Sequence, residues 1–364
     1  MRILIAGDWH SELHEEVVLC ALRSLGHEVE AFKWCSYFGR PAGIIGGVVH
    51  SLRRAQNKYL AGPAISGINR DLIASVKRFK PDMLFVYRGT HVTSTTLRKI
   101  KAFLPECVLV GYNNDDPFSP AHPSYLWRHF LQAIPSYDLM LAYRHANLAE
   151  YCNAGARRVE LLRSWFVPER NHPIKLTDAD KTKFETDVVF VGHYEDDQRL
   201  EFLEEVARRG IRLRLFGPGY DWDPLIRKSA VLNHLVPVQL VWGDDYNRAL
   251  CGAKIALCFL SKLNRDTYTR RCFEIPASGT LMLSEYSDDL STLYREGVEA
   301  DFFHSRDEML EKIRYYLAHD DVRISVARAG QLRLMQDQHD VTSRMAQLVK
   351  WTEEIKAEIS NEYP

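Results

Sequence analysis

The sequence predicts an α/β chain of two Rossmann-like, doubly wound domains with parallel sheets, and three observations predict it. Short apolar runs alternate with helical patterns in both halves, the rhythm of a parallel sheet with crossover helices. The 364 residues exceed the length at which a single core stops growing, so two domains are expected. Residues 167–186, with two prolines, several charges and no apolar period, read as a linker between domains at 1–166 and 187–338.

Composition narrows the class. Hydrophobic residues make up 46% and charged residues 26%, the proportions of a soluble globular protein. A net charge of −1 argues against a general nucleic-acid binder, which needs a basic surplus for phosphate. The seven cysteines are scattered without a C-x-x-C pair, so neither a disulfide framework nor a zinc ribbon is indicated, and a reducing cytosol fits them. The opening MRILIAGDWH has too short an apolar run for a signal peptide, and no later run approaches ~20 apolar residues. A cytoplasmic protein without a membrane span is expected.

Residues 2–6 form the first predicted strand, followed by Gly7 and a helical pattern over 11–25 that stops at Gly26. Gly7 has no G-x-G-x-x-G around it, so a tight turn explains it as well as a phosphate loop does. His10 and His14 stand at HxxxH spacing without the glutamate of a zinc protease, and read as a surface pair or as one cleft residue with a bystander. A second strand covers 28–32. The segment 36–67 then breaks the rhythm, placing Arg53, Arg54 and Lys58 among Ile44, Ile45, Val48, Val49, Leu52, Tyr59 and Leu60. It reads either as an amphipathic helix touching an acceptor or an anionic membrane surface through 44–60, or as a core-packing helix with a solvated basic side.

Strands are predicted at 83–87, 107–112 and 138–143, each preceded by a helix. In open parallel sheets ligands bind outside the carboxyl ends of the strands. Those ends carry Gly7 to His10, Arg88 with Gly89, Asn113 to Asp116, and Arg144. Asp115 or Asp116 could orient an acceptor hydroxyl or act as general base, the alternative being an Asx turn before Pro117. The DDP tract lacks the intervening residue of a metal-binding DxD motif, and no metal site is expected.

The second half repeats the pattern. A strand at 188–191 ends in Gly192 and His193, with Arg199 at the next helix start, and a strand at 211–216 ends in Gly217-Pro218-Gly219. Extended segments at 238–242 and 254–259 flank a helix at 245–251, and the second delivers Ser261, Lys262 and Asn264 to the same edge. Lys262 is a candidate phosphate cation or a solvated loop lysine. The stretch NRDTYTRRCFEIPASGTLMLSE then reads as a polar loop, a helix over about 269–278, a Gly279 stop and a buried strand at 280–284. Arg271 and Glu274, three apart, share a helical face. Such a pair suits a nucleoside diphosphate, with arginine on phosphate and glutamate accepting from ribose hydroxyls; a surface ion pair is the alternative. Thr269 and Arg270 flank the helix start, where backbone amides favour phosphate. Helices at 290–295, 308–317, 321–338 and 341–359 complete the chain.

Asp266 lies eight residues before Glu274, and this spacing resembles the Glu-x7-Glu signature of retaining GT-B glycosyltransferases, with aspartate in the first place. RCFEIPASGTLMLSE resembles the C-terminal signature of the CgeB-like, spore-maturation type of glycosyltransferase, and GHYEDDQR and NNDDPF are similar to other tracts of that family. The resemblance implies a GT-B architecture, two Rossmann-like domains facing across a cleft, with a final segment at 339–364 crossing back to the first. It implies transfer of a hexose-like sugar from a nucleotide diphosphate sugar to a saccharide, lipid-linked or protein hydroxyl, in surface polysaccharide or glycoconjugate synthesis. Arg271 and Arg199 would bind the diphosphate, the Gly192 amide and His193 would approach the donor, and Asp266 would lie near its sugar. Lys262, Asn264, Thr269 and Arg270 would complete the donor side, and no metal or other cofactor is then obligatory. A nucleotide-sugar epimerase and a non-catalytic sugar- or nucleotide-binding protein are the rival readings.

Overall fold

The computed structural model describes residues 1–40, 42 and 46–362. The chain divides into two compact units, unit 1 from Met1–Arg163 with Val341–Pro364 and unit 2 from Ser164–Asp340.

Unit 1 is built on a six-stranded sheet of β1 (Arg2–Gly7), β2 (Glu28–Lys33), β3 (Met83–Tyr87), β4 (Val108–Asn113), β5 (Leu139–Ala142) and β6 (Val159–Leu161). Its order is β2-β1-β3-β4-β5-β6 and every pairing is parallel. All residues of β3, β4 and β5 are buried, because helices cover both faces, and this is why those strands read as continuous apolar runs. Unit 2 holds β7 (Thr186–Val191), β8 (Leu213–Phe216), β9 (Ala253–Cys258), β10 (Leu281–Glu285) and β11 (Asp301–Phe303) in the parallel order β11-β10-β9-β7-β8. Both domains therefore have the doubly wound parallel architecture expected. In each sheet the chain leaves the first strand to one side and returns on the other, so a switch point lies between β1 and β3 and another between β7 and β9.

Three details differ from the sequence reading. Residues 167–186 group with unit 2 and contain the helix Asp178–Phe184, whose Thr177 makes a reciprocal capping box with Asp180. Residues 238–242 make only a single bridge, Gln239 to Phe216, because Pro237 lacks the amide a ladder needs there. The short strands β6 and β11 had no apolar run to announce them.

The helix Gly46–Tyr59 buries only Gly46, while Val48, Leu52 and Tyr59 are 66%, 59% and 53% exposed. The core-packing reading of this segment is thereby corrected: its apolar stripe faces outward. The residues Ile44 and Ile45 of the expected membrane contact lie outside the described residues. Among the described residues no helix is long and apolar enough to cross a membrane. The last helix, Val341–Glu362, belongs to unit 1, where Lys356 pairs with Asp82, Glu354 with Arg158, and the Thr352 hydroxyl meets Met83.

Candidate functional site

The switch point of unit 2 brings together residues from three elements. Strand β7 ends at Gly192, strand β9 ends at Cys258, and the helix Arg271–Ala277 begins beside them. Arg271 extends toward Gly192: a Cβ built there would lie 3.0 Å from Nη1 of the arginine and 2.9 Å from the Phe190 ring. The guanidinium carbon sits 5.8 Å from the centre of that ring. The Arg271 Nε is buried without a hydrogen-bond partner, and no carboxylate among the described residues forms an ion pair with Arg271. Its neighbours are two thiols. Cys258 and Cys272 lie 3.7 Å apart, and the Cys258 thiol is held below the usual range by the Cys272 hydrogen bond and by Arg271, against burial. A cation at a strand switch point, with no carboxylate ion-paired to it among the described residues, has the chemistry to take an anion.

Glu274 stands one turn along the same helix and is 4% exposed. Its Oε2 accepts from the Tyr246 hydroxyl at 2.6 Å. Burial raises the Glu274 pKa, opposed by the nearby Arg270, the Tyr246 hydrogen bond and Arg271. The pair is thus not a surface ion pair: each group is inward, and the carboxylate is held by a phenol from another helix. Tyr246 was not singled out in the sequence, since it lies 28 residues away and carries no motif.

The remaining residues expected on the donor side are placed as follows. Thr269 is buried against the Cys258 thiol at 3.6 Å, and Arg270 lies 5.9 Å from the Trp165 ring. The Asp266 amide donates to the Ser261 carbonyl and the Asn264 amide to the Ser261 hydroxyl, a turn that sets both residues just before the helix. Lys262 is exposed, with Nζ 3.3 Å from Glu285, as the solvated-loop reading has it. His193 pairs with Asp221 at 2.9 Å on the surface.

Two expectations need correction. Arg199 was expected as a second phosphate ligand, but it is only 2% exposed and its donors are engaged: Nε and Nη2 go to Asp197 at 2.7 and 2.5 Å, and Nη1 goes to the His193 carbonyl at 2.7 Å. It anchors the turn after β7. The Gly192 amide donates to the Phe216 carbonyl and the Gly192 carbonyl accepts from the Trp222 indole, so this glycine contributes space for Arg271 and not a donor. The helix start likewise has few free amides, since those of Cys272, Phe273 and Glu274 donate to the carbonyls of Thr269 and Arg270.

In unit 1 the switch point gathers a second polar group. Asp115 pairs with Arg88 at 2.9 Å, and Arg88 lies over the Trp127 ring. Asp116 is buried, and its Oδ1 accepts from the Phe118 amide and from Asn147, which is the Asx turn named as its alternative. Asp8 and His10 are 3.3 Å apart, and the His14 ring nitrogen is 3.2 Å from the Tyr87 hydroxyl. Glu15, missed in the sequence, is buried beneath Gly7 and accepts from the Trp9 amide. Trp9 and Arg88 hold φ near +58° and +67°, backbone strain of the kind stored at functional sites.

Residues 198–350 match the family described as glycosyl transferase-like. No curated protein sequence matches the chain. Among solved structures, HepE of Anabaena in complex with UDP-glucose is similar with a TM-score of 0.67 and 13% identity, over 97% of this chain and 100% of that one. Sucrose-phosphate synthase of Thermosynechococcus elongatus is similar with a TM-score of 0.70 and 11% identity, over 98% and 100%. A trehalose 6-phosphate synthase of Burkholderia multivorans gives 0.65 and 9%, over 98% and 99%. The fold is that of GT-B glycosyltransferases.

Proposed function

We propose that the protein is a glycosyltransferase that takes a sugar from a uridine diphosphate sugar and passes it to a hydroxyl acceptor. The observation that carries this reading is the acid-free guanidinium of Arg271 at the β7/β9 switch point, over a glycine that leaves room for it. Arg271 binds the pyrophosphate, and because charge grows on the diphosphate as the glycosidic bond breaks, it stabilises the transition state more than the ground state. Glu274 accepts from the ribose, and Asp266 contacts the donor sugar. Thr269, Arg270 and Asn264 line the phosphate side. The unit 1 strand ends, with Asp115 and Arg88, take the acceptor. Uridine is the base to test first because the HepE structures hold UDP and UDP-glucose.

Calorimetric titration with UDP and UDP-glucose is the experiment. Saturable binding of both, and sugar release from UDP-glucose that speeds up with a saccharide acceptor, are the expected results. No binding of either nucleotide would overturn the reading.

We further propose that the acceptor pathway is one of surface polysaccharide or glycoconjugate synthesis, reached through membrane contact by Gly46–Tyr59. The exposed stripe of Val48, Leu52 and Tyr59, beside Arg54 and Lys58, suits an anionic lipid surface. Leu52→Glu is expected to abolish co-sedimentation with phosphatidylglycerol vesicles that the wild type shows. Equal sedimentation of the two proteins would remove this part.

A further inference from the structure

We propose that Tyr246 is the positioning residue that fixes the Glu274 carboxylate for the two ribose hydroxyls of the donor, making this site selective for ribonucleotides. The inference rests on the glycosyltransferase reading of the same site and adds a residue that neither motif nor family likeness assigns.

Tyr246 lies in the first turn of the helix Gly243–Cys251, which packs against β7 and β9, the two strands of the switch point. From there its hydroxyl donates to Oε2 of Glu274 at 2.6 Å. Oε1 receives no hydrogen bond from a described residue. A carboxylate has about four acceptor positions. One is taken by the phenol, so both oxygens keep capacity for a vicinal diol.

The phenol solves a specific electrostatic problem. An ionised carboxylate buried to this extent is costly without a donor, and burial raises the pKa of Glu274. A direct ion pair with Arg271 would satisfy it but would swing the acid onto the cation and occupy both. A neutral donor holds the rotamer and keeps the charge, leaving Arg271 for phosphate. Burial and the adjacent Glu274 charge raise the Tyr246 pKa well above its ordinary value, so the proton stays on the phenol and Glu274 remains the acceptor.

The test is a cycle of Tyr246→Phe against two probes, UDP and 2′,3′-dideoxy-UDP, read by calorimetry. Removing one oxygen is expected to weaken UDP about tenfold and to leave the dideoxy compound unchanged, because only the ribose hydroxyls sense the carboxylate. The pH at which UDP binding is lost on acidification is also expected to rise, since the phenol hydrogen bond favours ionised Glu274. Equal weakening of both probes would reduce Tyr246 to a structural role and overturn the proposal, as would an unchanged ratio. Should the phenylalanine variant not fold, wild-type protein settles the matter on the ribose side: equal affinity for UDP and the dideoxy compound overturns the proposal. Absence of all UDP binding by the wild type would instead defeat the underlying glycosyltransferase reading, so the two failures are distinct.

Discussion

Arg271→Ala is expected to lower kcat/KM for the UDP-sugar by about 10²–10³-fold, the effect of losing one preorganised donor to developing charge. The loss should be concentrated in kcat, because the diphosphate carries more charge when leaving than when bound. Folding should survive: among the described residues no carboxylate is ion-paired with Arg271, and Glu274 keeps its Tyr246 hydrogen bond when the guanidinium is removed. The melting temperature is therefore expected to stay within about 4 °C of wild type. Arg271→Lys should recover only a fraction, since an ammonium cannot place two parallel donors on a phosphate. Steady-state kinetics with a thermal melt check the pair of expectations, and a folded Arg271→Ala enzyme turning over at the wild-type rate would end the assignment of the site.

Arg199→Ala has the opposite signature. Arg199 and Asp197 are 2% and 4% exposed in their side chains and share a two-point contact. Deleting the cation strands a buried carboxylate and releases the His193 carbonyl, which is expected to cost about 3–5 kcal/mol of unit 2 stability. Urea denaturation should show the midpoint falling. At low temperature the folded fraction should still bind UDP within about threefold of wild type. Normal stability with lost UDP affinity would return Arg199 to the role of phosphate ligand. A double-mutant cycle with Asp197→Asn then isolates the pair from the rest of the turn.

The contrast between these two arginines shows how far the sequence could be read. The placement of Arg271 and Glu274 on one helix beside the strand ends was legible, because three-residue spacing on a helix puts them on one face and nearby strands showed as apolar runs. Arg199 was misassigned although its partner stands two residues earlier: an acid that close to a basic residue has as good a claim on it as any ligand does. Tyr246 was not legible, because its contact with Glu274 depends on two helices meeting over the sheet. The same limit applies to Asp116, whose turn before Pro117 was foreseen as an alternative but whose bond to Asn147 spans 31 residues. Strand β11, only three residues long and beginning with Asp301, is identified by its neighbour β10 and not by composition.

The return of Val341–Glu362 to unit 1 has a consequence for biosynthesis. Unit 2 is one unbroken stretch of chain, whereas the partners of Asp82 and Arg158 are translated only after it. During elongation the earlier sheet waits with one flank bare while the later unit can already complete itself, reversing the usual order of co-translational maturation. Nascent polypeptides stalled before codon 341 would accordingly need chaperone shelter over that uncovered flank.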